Sequence, residues 1–273
     1  MFSHYKQEVS KYGKKDAIIA LCFTFYAYVV LFAEIIIQNL PNFPFGGFAG
    51  HWLFYPLIPV PLFIILFKRK QNIASIGLHT KNLRPALLLG LVFCAIIILV
   101  QVIIPGFTRG WNFHSFDNML RIFVIAISVS FLEDTWFSGY LQTRMYGLVK
   151  SNIAAVLIVS FLFALSHIPA SLAMQGVSGF TALVSLSMVV WVGFHIIWNL
   201  AFRQYFSLFP VMMIHITWNF ANTGLIEGGG LGYDALTVPG LLLIMTAYLL
   251  IVRHRIRNKS TEQANIAETD TSS

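Results

Sequence analysis

The chain has 273 residues, of which 57% are apolar and only 11% are charged, and its mean hydropathy is +0.74. A soluble domain carries about 25% charged residues, so this chain has too few polar side chains to cover a water-soluble particle of its mass. The formal charge of +7 does not indicate a nucleic-acid-binding face, because the Lys and Arg residues fall in short clusters between apolar runs. Composition therefore excludes a soluble globular enzyme and predicts an all-α polytopic membrane protein in a lipid bilayer.

Eight apolar runs approach the roughly 20 residues that a helix needs to cross a bilayer. In chain order they lie near 16–38, 51–67, 85–105, 119–142, 152–172, 180–201, 205–225 and 236–252. The second run contains three prolines, and each removes a backbone donor, so we expect an interrupted or partly re-entrant helix there. The sequence thus predicts about eight transmembrane helices.

The basic residues predict the orientation of these helices. Sixteen of the eighteen Lys and Arg residues, including Arg144 in the connection after the fourth run, fall on one side of the eight-span arrangement, and only Arg109 and Arg121 fall on the other. Cytoplasmic loops are enriched in Lys and Arg, so we expect both termini in the cytoplasm. Residues 1–252 are predicted to form a single transmembrane domain, and the polar segment 253–273 is predicted to be a disordered cytoplasmic tail.

Ionisable side chains inside apolar runs are expensive to bury in lipid, and each suggests a function. Glu133 and Asp134 interrupt the fourth run, while His167, His195 and His215 lie in the fifth, sixth and seventh. A single intramembrane histidine can equally be a packing residue. Adjacent carboxylates together with histidines from separate helices instead predict a polar intramembrane cavity.

His215 and Asn219 are four residues apart, so they share one face of a helix. In a cavity with Glu133, the carboxylate can deprotonate a water molecule, and the imidazole and amide groups can stabilise an oxyanion or hold a metal ion. This set of groups predicts a hydrolase.

Three segments carry a family resemblance. The patches LEDTWFSG, FALSH and HITWN, in that order along the chain, resemble the E-E-x-x-x-R, F-x-x-x-H and H-x-x-x-N motifs of the CPBP family. That family comprises the intramembrane CAAX prenyl endopeptidases and bacterial relatives, including bacteriocin-processing and bacteriocin-immunity proteins. The resemblance covers about residues 119–225. It implies a metalloendopeptidase-like hydrolase of the bacterial cell membrane with a membrane-associated peptide or protein as substrate, and no nucleic-acid partner.

The resemblance also implies roles for individual residues. Glu133 corresponds to the first motif glutamate, which activates the attacking water, and Asp134 stands at the second. His167 matches the histidine of the second motif, and His215 and Asn219 match the third. The resemblance implies that His215 and Asn219 bind the oxyanion. On another view it implies a divalent metal such as zinc, with Glu133, His167 and His215 as the ligands.

Two features depart from a simple match. The position of the motif arginine is occupied by Ser138, which cannot supply a buried positive charge. A second H-x-x-x-N pattern occurs at His195 and Asn199. We assign the third motif to His215, because Arg203 and the short connection before the seventh run resemble the family's approach to that motif. His195 is then expected to be a packing residue outside the cavity.

These observations leave two main functional hypotheses. The first is a CPBP-type intramembrane endopeptidase that uses glutamate-activated water. The second is a catalytically weakened homologue that binds and regulates a membrane partner or peptide, which the loss of the motif arginine would allow. A small-molecule transporter is less favoured, because the sequence shows no repeated half and no pair of broken helices.

Overall fold

The computed structural model describes residues 2–38, 54–168, 188–223, 225 and 237–271, and within these ranges it contains helices and no strand. The α-helices are α1 (Phe2–Val9), α2 (Lys14–Gln38), α3 (Pro59–Lys68), α4 (Leu83–Ile98), α5 (Ile104–Arg109), α6 (Phe116–Glu133), α7 (Gln142–Val149), α8 (Asn152–Leu165), α9 (Met188–Tyr205), α10 (Phe209–Thr223) and α11 (Thr237–Thr271). The all-α class predicted from composition is confirmed.

Three of the described helical segments are long and apolar enough to cross a bilayer: Lys14–Ile37, Leu83–Thr108 and Pro239–Ile256. Shorter apolar helices cover Tyr55–Lys68 and Asn152–Leu165. The chain is an integral membrane protein, and the count of eight spans stays a prediction. The end of the fifth predicted span and the start of the sixth lie outside the described residues.

The prolines of the second predicted span start the helix instead of bending it in the middle. A short 3-10 turn at Tyr55–Leu57 precedes α3, which begins at Pro59. Proline is tolerated in a first turn because its missing N–H has no partner inside the helix there. The interruption that the sequence predicts is therefore confirmed at the start of α3.

The motif-bearing helix runs without a break from α6 into α7 through a π-helical segment, Asp134–Leu141. Every residue of this segment is buried, and π-helical turns are frequent at functional sites. Gly139 allows a close contact on this segment, since a Cβ there would lie 2.9 Å from the Ile76 carbonyl oxygen. The first motif thus lies in the most enclosed part of its helix.

Aromatic packing holds the π segment to the helices around it. The Trp136 Nε1–H donates to Thr24 Oγ1 of α2 at 3.0 Å, and the Trp136 ring stacks on Phe137 with 4.0 Å between centroids. Phe137 in turn contacts Phe163 of α8 edge-on at 5.3 Å. These contacts orient the acidic start of the π segment.

Helix α10 lies against both α4 and α6. Gly90 of α4 packs against Pro210 and Met213, and Phe123 of α6 contacts Phe220 edge-on at 5.2 Å. This packing places the third motif, which lies on α10, next to the first motif at the end of α6.

The last helix differs from the sequence-based expectation. Helix α11 continues to Thr271, through residues that composition predicts to be a disordered tail. The strongly apolar first half forms the helix, and residues 253–271 contain no proline or glycine to end it. The assignment of 253–273 as a tail separate from the transmembrane domain stays a prediction.

Candidate active site

His215 of α10 lies between two adjacent carboxylates. Its Nδ1 is 3.2 Å from Asp134 Oδ1, and its Nε2 is 3.7 Å from Glu133 Oε2. Asp134 is fully buried, while 16% of the Glu133 side chain is exposed. The shorter distance is a hydrogen bond in which Nδ1–H donates to Asp134, and the longer one exceeds hydrogen-bond range.

The helix geometry explains how neighbouring residues reach one ring. Glu133 is the last residue of α6 and Asp134 the first of the π segment, and consecutive helical side chains point about 100° apart. The two carboxylates therefore approach the imidazole of His215 from different sides. Asp134, which is fully buried, fixes the ring, and Glu133 is the more exposed of the two carboxylates.

Aromatic rings enclose His215. The Trp198 ring lies over it with 4.3 Å between centroids and an interplanar angle of 30°, and Phe163 contacts it edge-on at 6.3 Å. Few polar groups are available there to screen charge, so electrostatic interactions in this site are stronger than in water.

Of the other predicted site residues, His167 lies beside this group. Its Nδ1 is 3.0 Å from the Phe163 carbonyl oxygen of its own helix, and its ring stacks on Trp191 at 4.1 Å. It interacts electrostatically with His215. Asn219 lies one turn beyond His215 on α10 and is partly exposed.

The proposed metal ligands do not form a metal centre as the structure places them. Among the described residues, no three His, Cys, Asp or Glu side chains lie close enough together to hold one ion. Glu133 and His215 are neighbours, but His167 is held against its own helix and Trp191. The described residues therefore do not fit zinc or another divalent ion at this site.

Ser138 occupies the place of the motif arginine and is fully buried. Its Oγ has no hydrogen-bond partner among the described residues. The nearest cationic residue along this helix, Arg144, is also fully buried, although the sequence suggested a residue of a cytoplasmic connection. Its guanidinium donates to Gln71 Oε1 and to Ser75 Oγ, both at 2.8 Å. Arg144 therefore does not replace the missing charge at the carboxylates.

His195 is closer to the site than expected. It is fully buried, and its Nδ1 is hydrogen-bonded to Ser160 Oγ at 3.1 Å and Asn199 Nδ2 at 2.7 Å. Its ring stacks on Phe163 at 4.2 Å. Since Phe163 and Trp198 contact both His195 and His215, His195 forms a supporting layer behind the site.

Two residues near the carboxylates were missed in the sequence. Glu34 of α2 is only 9% exposed, and Tyr55 lies within electrostatic reach of Glu34, Glu133 and Asp134. Glu34 could have been predicted as a site residue, because it is a carboxylate inside the first apolar run. Nothing in the sequence distinguishes Tyr55 from the other tyrosines.

Part of the chain matches a known protein family. Residues 115–221 match the family described as Rce1-like type II CAAX prenyl endopeptidase, and no curated protein matches the chain. The matched range contains all of the predicted site residues from Glu133 to Asn219. This result confirms the CPBP-family assignment that the three motifs predict.

Proposed function

We propose that this protein is an intramembrane endopeptidase that cleaves a membrane-associated peptide or protein with water activated by Glu133. The observation that supports it best is the position of His215, which is hydrogen-bonded to the buried Asp134 and faces the more exposed Glu133 across 3.7 Å. A fixed imidazole next to a carboxylate whose side chain is 16% exposed suits proton transfer from an attacking water molecule.

The proposed reaction is a hydrolysis. Glu133 accepts a proton from the water molecule as its oxygen attacks the carbonyl carbon of the scissile peptide bond. Asn219 and the protonated forms of His215 and His167 are the candidate donors for the oxyanion that forms, because the Nδ1 of each ring is already hydrogen-bonded. The C–N bond then breaks, and Glu133 returns its proton to the leaving amine nitrogen. Asp134 acts by orienting His215.

The family match suggests the class of substrate. Because the matched family is described as CAAX prenyl endopeptidases, we take a prenylated C-terminal peptide as the first substrate to test. We infer that both termini lie in the cytoplasm, because the Lys and Arg residues cluster on one side of the predicted spans. The bacterial cell membrane is the location that the family resemblance implies.

The second candidate function is that of a catalytically weakened homologue that binds and regulates a membrane partner. Ser138 favours it, because this buried serine leaves the carboxylates without the positive charge that the motif arginine would supply.

The test is cleavage of a fluorescence-quenched farnesylated peptide ending in a Cys-aliphatic-aliphatic-X sequence by the full chain in liposomes. Glu133→Gln keeps the size of the side chain but cannot accept the proton, so we expect a loss of at least about 10²-fold in rate. Asp117→Asn, which changes an exposed carboxylate at the opposite end of α6, is the matched control and should stay within about twofold of wild type. Absence of cleavage by wild type, or equal rates for wild type and Glu133→Gln, would contradict the enzyme and favour the binding protein.

A further inference from the structure

A cavity of about 930 Å³ lies away from the candidate active site. It is formed by α1, the start of α2 and the connection 69–82 between α3 and α4, and its described lining contains none of Glu133, Asp134 and His215. The membrane-spanning segments Lys14–Ile37 and Leu83–Thr108 both begin beside it. The cavity is therefore at the membrane surface, on the side that the charge distribution predicts to be cytoplasmic.

The described lining carries more positive than negative charge. It includes two carboxylates, and each is paired with a lining cation. Lys11 Nζ is 2.6 Å from Glu8 Oε2, and Arg69 Nη2 is 2.6 Å from Asp16 Oδ1. The two remaining lining cations, Lys70 and Lys81, give the cavity its excess positive charge.

The two lysines are held at the cavity by the local backbone and by a neighbouring ring. Lys70, two residues after the end of α3, has a left-handed conformation with φ of 53°, at a position where glycine is usual. Lys81 Nζ lies 3.4 Å from His4 Nδ1. Burial lowers the pKa of His79, another lining residue, so this imidazole is neutral at pH 7. Its buried Nδ1 has no hydrogen-bond partner among the described residues.

A buried cation lies directly behind the cavity floor. Gln71 and Ser75 line the cavity, and both accept hydrogen bonds from Arg144 at 2.8 Å. Among the described residues its guanidinium donates only to neutral oxygen atoms. The carboxylates of Glu8 and Asp16, which each pair with another cation of the lining, also attract it electrostatically. Arg144 therefore adds to the positive potential of the floor.

We propose that this cavity binds a phosphate group, and that its source is the headgroup of an anionic phospholipid in the surrounding leaflet. Phosphate oxygens accept strong charge-assisted hydrogen bonds from ammonium groups, and basic pockets beside transmembrane helices on the cytoplasmic side suit anionic headgroups. A volume of about 930 Å³ is within the usual range of ligand pockets. The position at the ends of two membrane spans favours a lipid over free phosphate.

The experiment measures binding of short-chain phosphatidylglycerol and phosphatidylcholine to the full chain in detergent, by native mass spectrometry and by the shift in thermal midpoint. The test variant is Lys70→Gln/Lys81→Gln. The matched control is Lys68→Gln/Arg84→Gln, which removes the same charge from two exposed residues of the same region that do not line the cavity. Lys81→Gln alone is included, because its side chain is exposed and the variant should fold.

We expect wild type to prefer phosphatidylglycerol over phosphatidylcholine. The apparent affinity for phosphatidylglycerol should fall about tenfold in the lysine pair and about threefold in Lys81→Gln, and by less than twofold in the control pair. Equal losses in the two double variants, or no preference for phosphatidylglycerol in wild type, would overturn the proposal.

A parallel titration with inorganic phosphate distinguishes the two sources of the phosphate group. Failure of millimolar phosphate to displace the lipid supports the headgroup, and full displacement at concentrations equal to those of the lipid would overturn the lipid assignment. The assay does not depend on peptide cleavage, so it can succeed or fail independently of the proposed protease function.

Discussion

One continuous helix carries two fully buried charged residues that are stabilised in different ways. Asp134 lies at the junction of α6 and the π segment, and its Oδ1 contacts the titratable ring of His215 at 3.2 Å. Arg144 lies on α7 and donates to four neutral oxygen atoms. Its guanidinium also lies over the rings of Tyr12 and Tyr140, at 4.3 and 4.6 Å from their centroids.

The difference distinguishes a residue that is suited to the reaction from a residue that stabilises the fold. A carboxylate that accepts a hydrogen bond from an imidazole fixes the orientation of that ring. A guanidinium stays protonated in proteins, and neutral oxygens and aromatic faces satisfy it without taking a proton. Asp134 is therefore suited to the reaction, and Arg144 holds the 71–75 segment in place.

Replacement of Arg144 should produce the largest effect. Arg144→Ala leaves the acceptors on Ser75 and Gln71 without their charged donor, and removes the cation from two tyrosine rings. We expect the free energy of unfolding to fall by about 3 kcal/mol or more, measured by denaturation in detergent. Arg144→Lys keeps the charge but loses the planar fork, so its loss should be intermediate.

The control for this change is Arg84→Ala, at an exposed arginine near the start of α4. It should alter the free energy of unfolding by less than about 0.5 kcal/mol. Equal effects at the two arginines would show that the buried guanidinium does not stabilise the 71–75 segment.

Substitutions at two glycines test the contact between α7 and the turn that joins α1 to α2. A Cβ on Gly147 would lie 2.3 Å from the Gly13 carbonyl oxygen, whereas a Cβ on Gly13 would meet nothing within 4 Å. Gly147→Ala should therefore lower the free energy of unfolding by about 2 kcal/mol despite the better helix propensity of alanine. Gly13→Ala should stay within about 0.5 kcal/mol of wild type. Thermal midpoints that fall equally in both variants would contradict this contact.

The smallest effect is expected at Asp134. Asp134→Asn keeps a similar shape but loses the charge that orients His215, so the cleavage rate of the farnesylated probe should fall by about tenfold. Asp134→Glu, which keeps the carboxylate, should recover part of the rate. A loss as large as that of Glu133→Gln would assign the proton acceptor to Asp134 and would contradict the roles proposed here.

Much of the candidate site was visible in the sequence, because burying ionisable groups in apolar runs is costly wherever the chain folds. That argument found Glu133, Asp134 and His215, and it applies equally to Glu34. It could not rank the two H-x-x-x-N patterns at His195 and His215, which have the same spacing on their helices. It also assigned Arg144 to a connection, since a lone cation near a span end normally marks topology.

The sequence by itself determined the class of the protein, the all-α fold and the order of the three motifs, since hydropathy and helical spacing are local properties of the chain. The tertiary structure decided which histidine meets the carboxylates: α10 packs against α6 and brings His215 to Asp134, while α9 directs His195 to Ser160. It also decided that Arg144 is buried, through acceptors about 70 residues away in the chain. Such pairings depend on which helix faces meet, and this depends on the packing of the whole bundle.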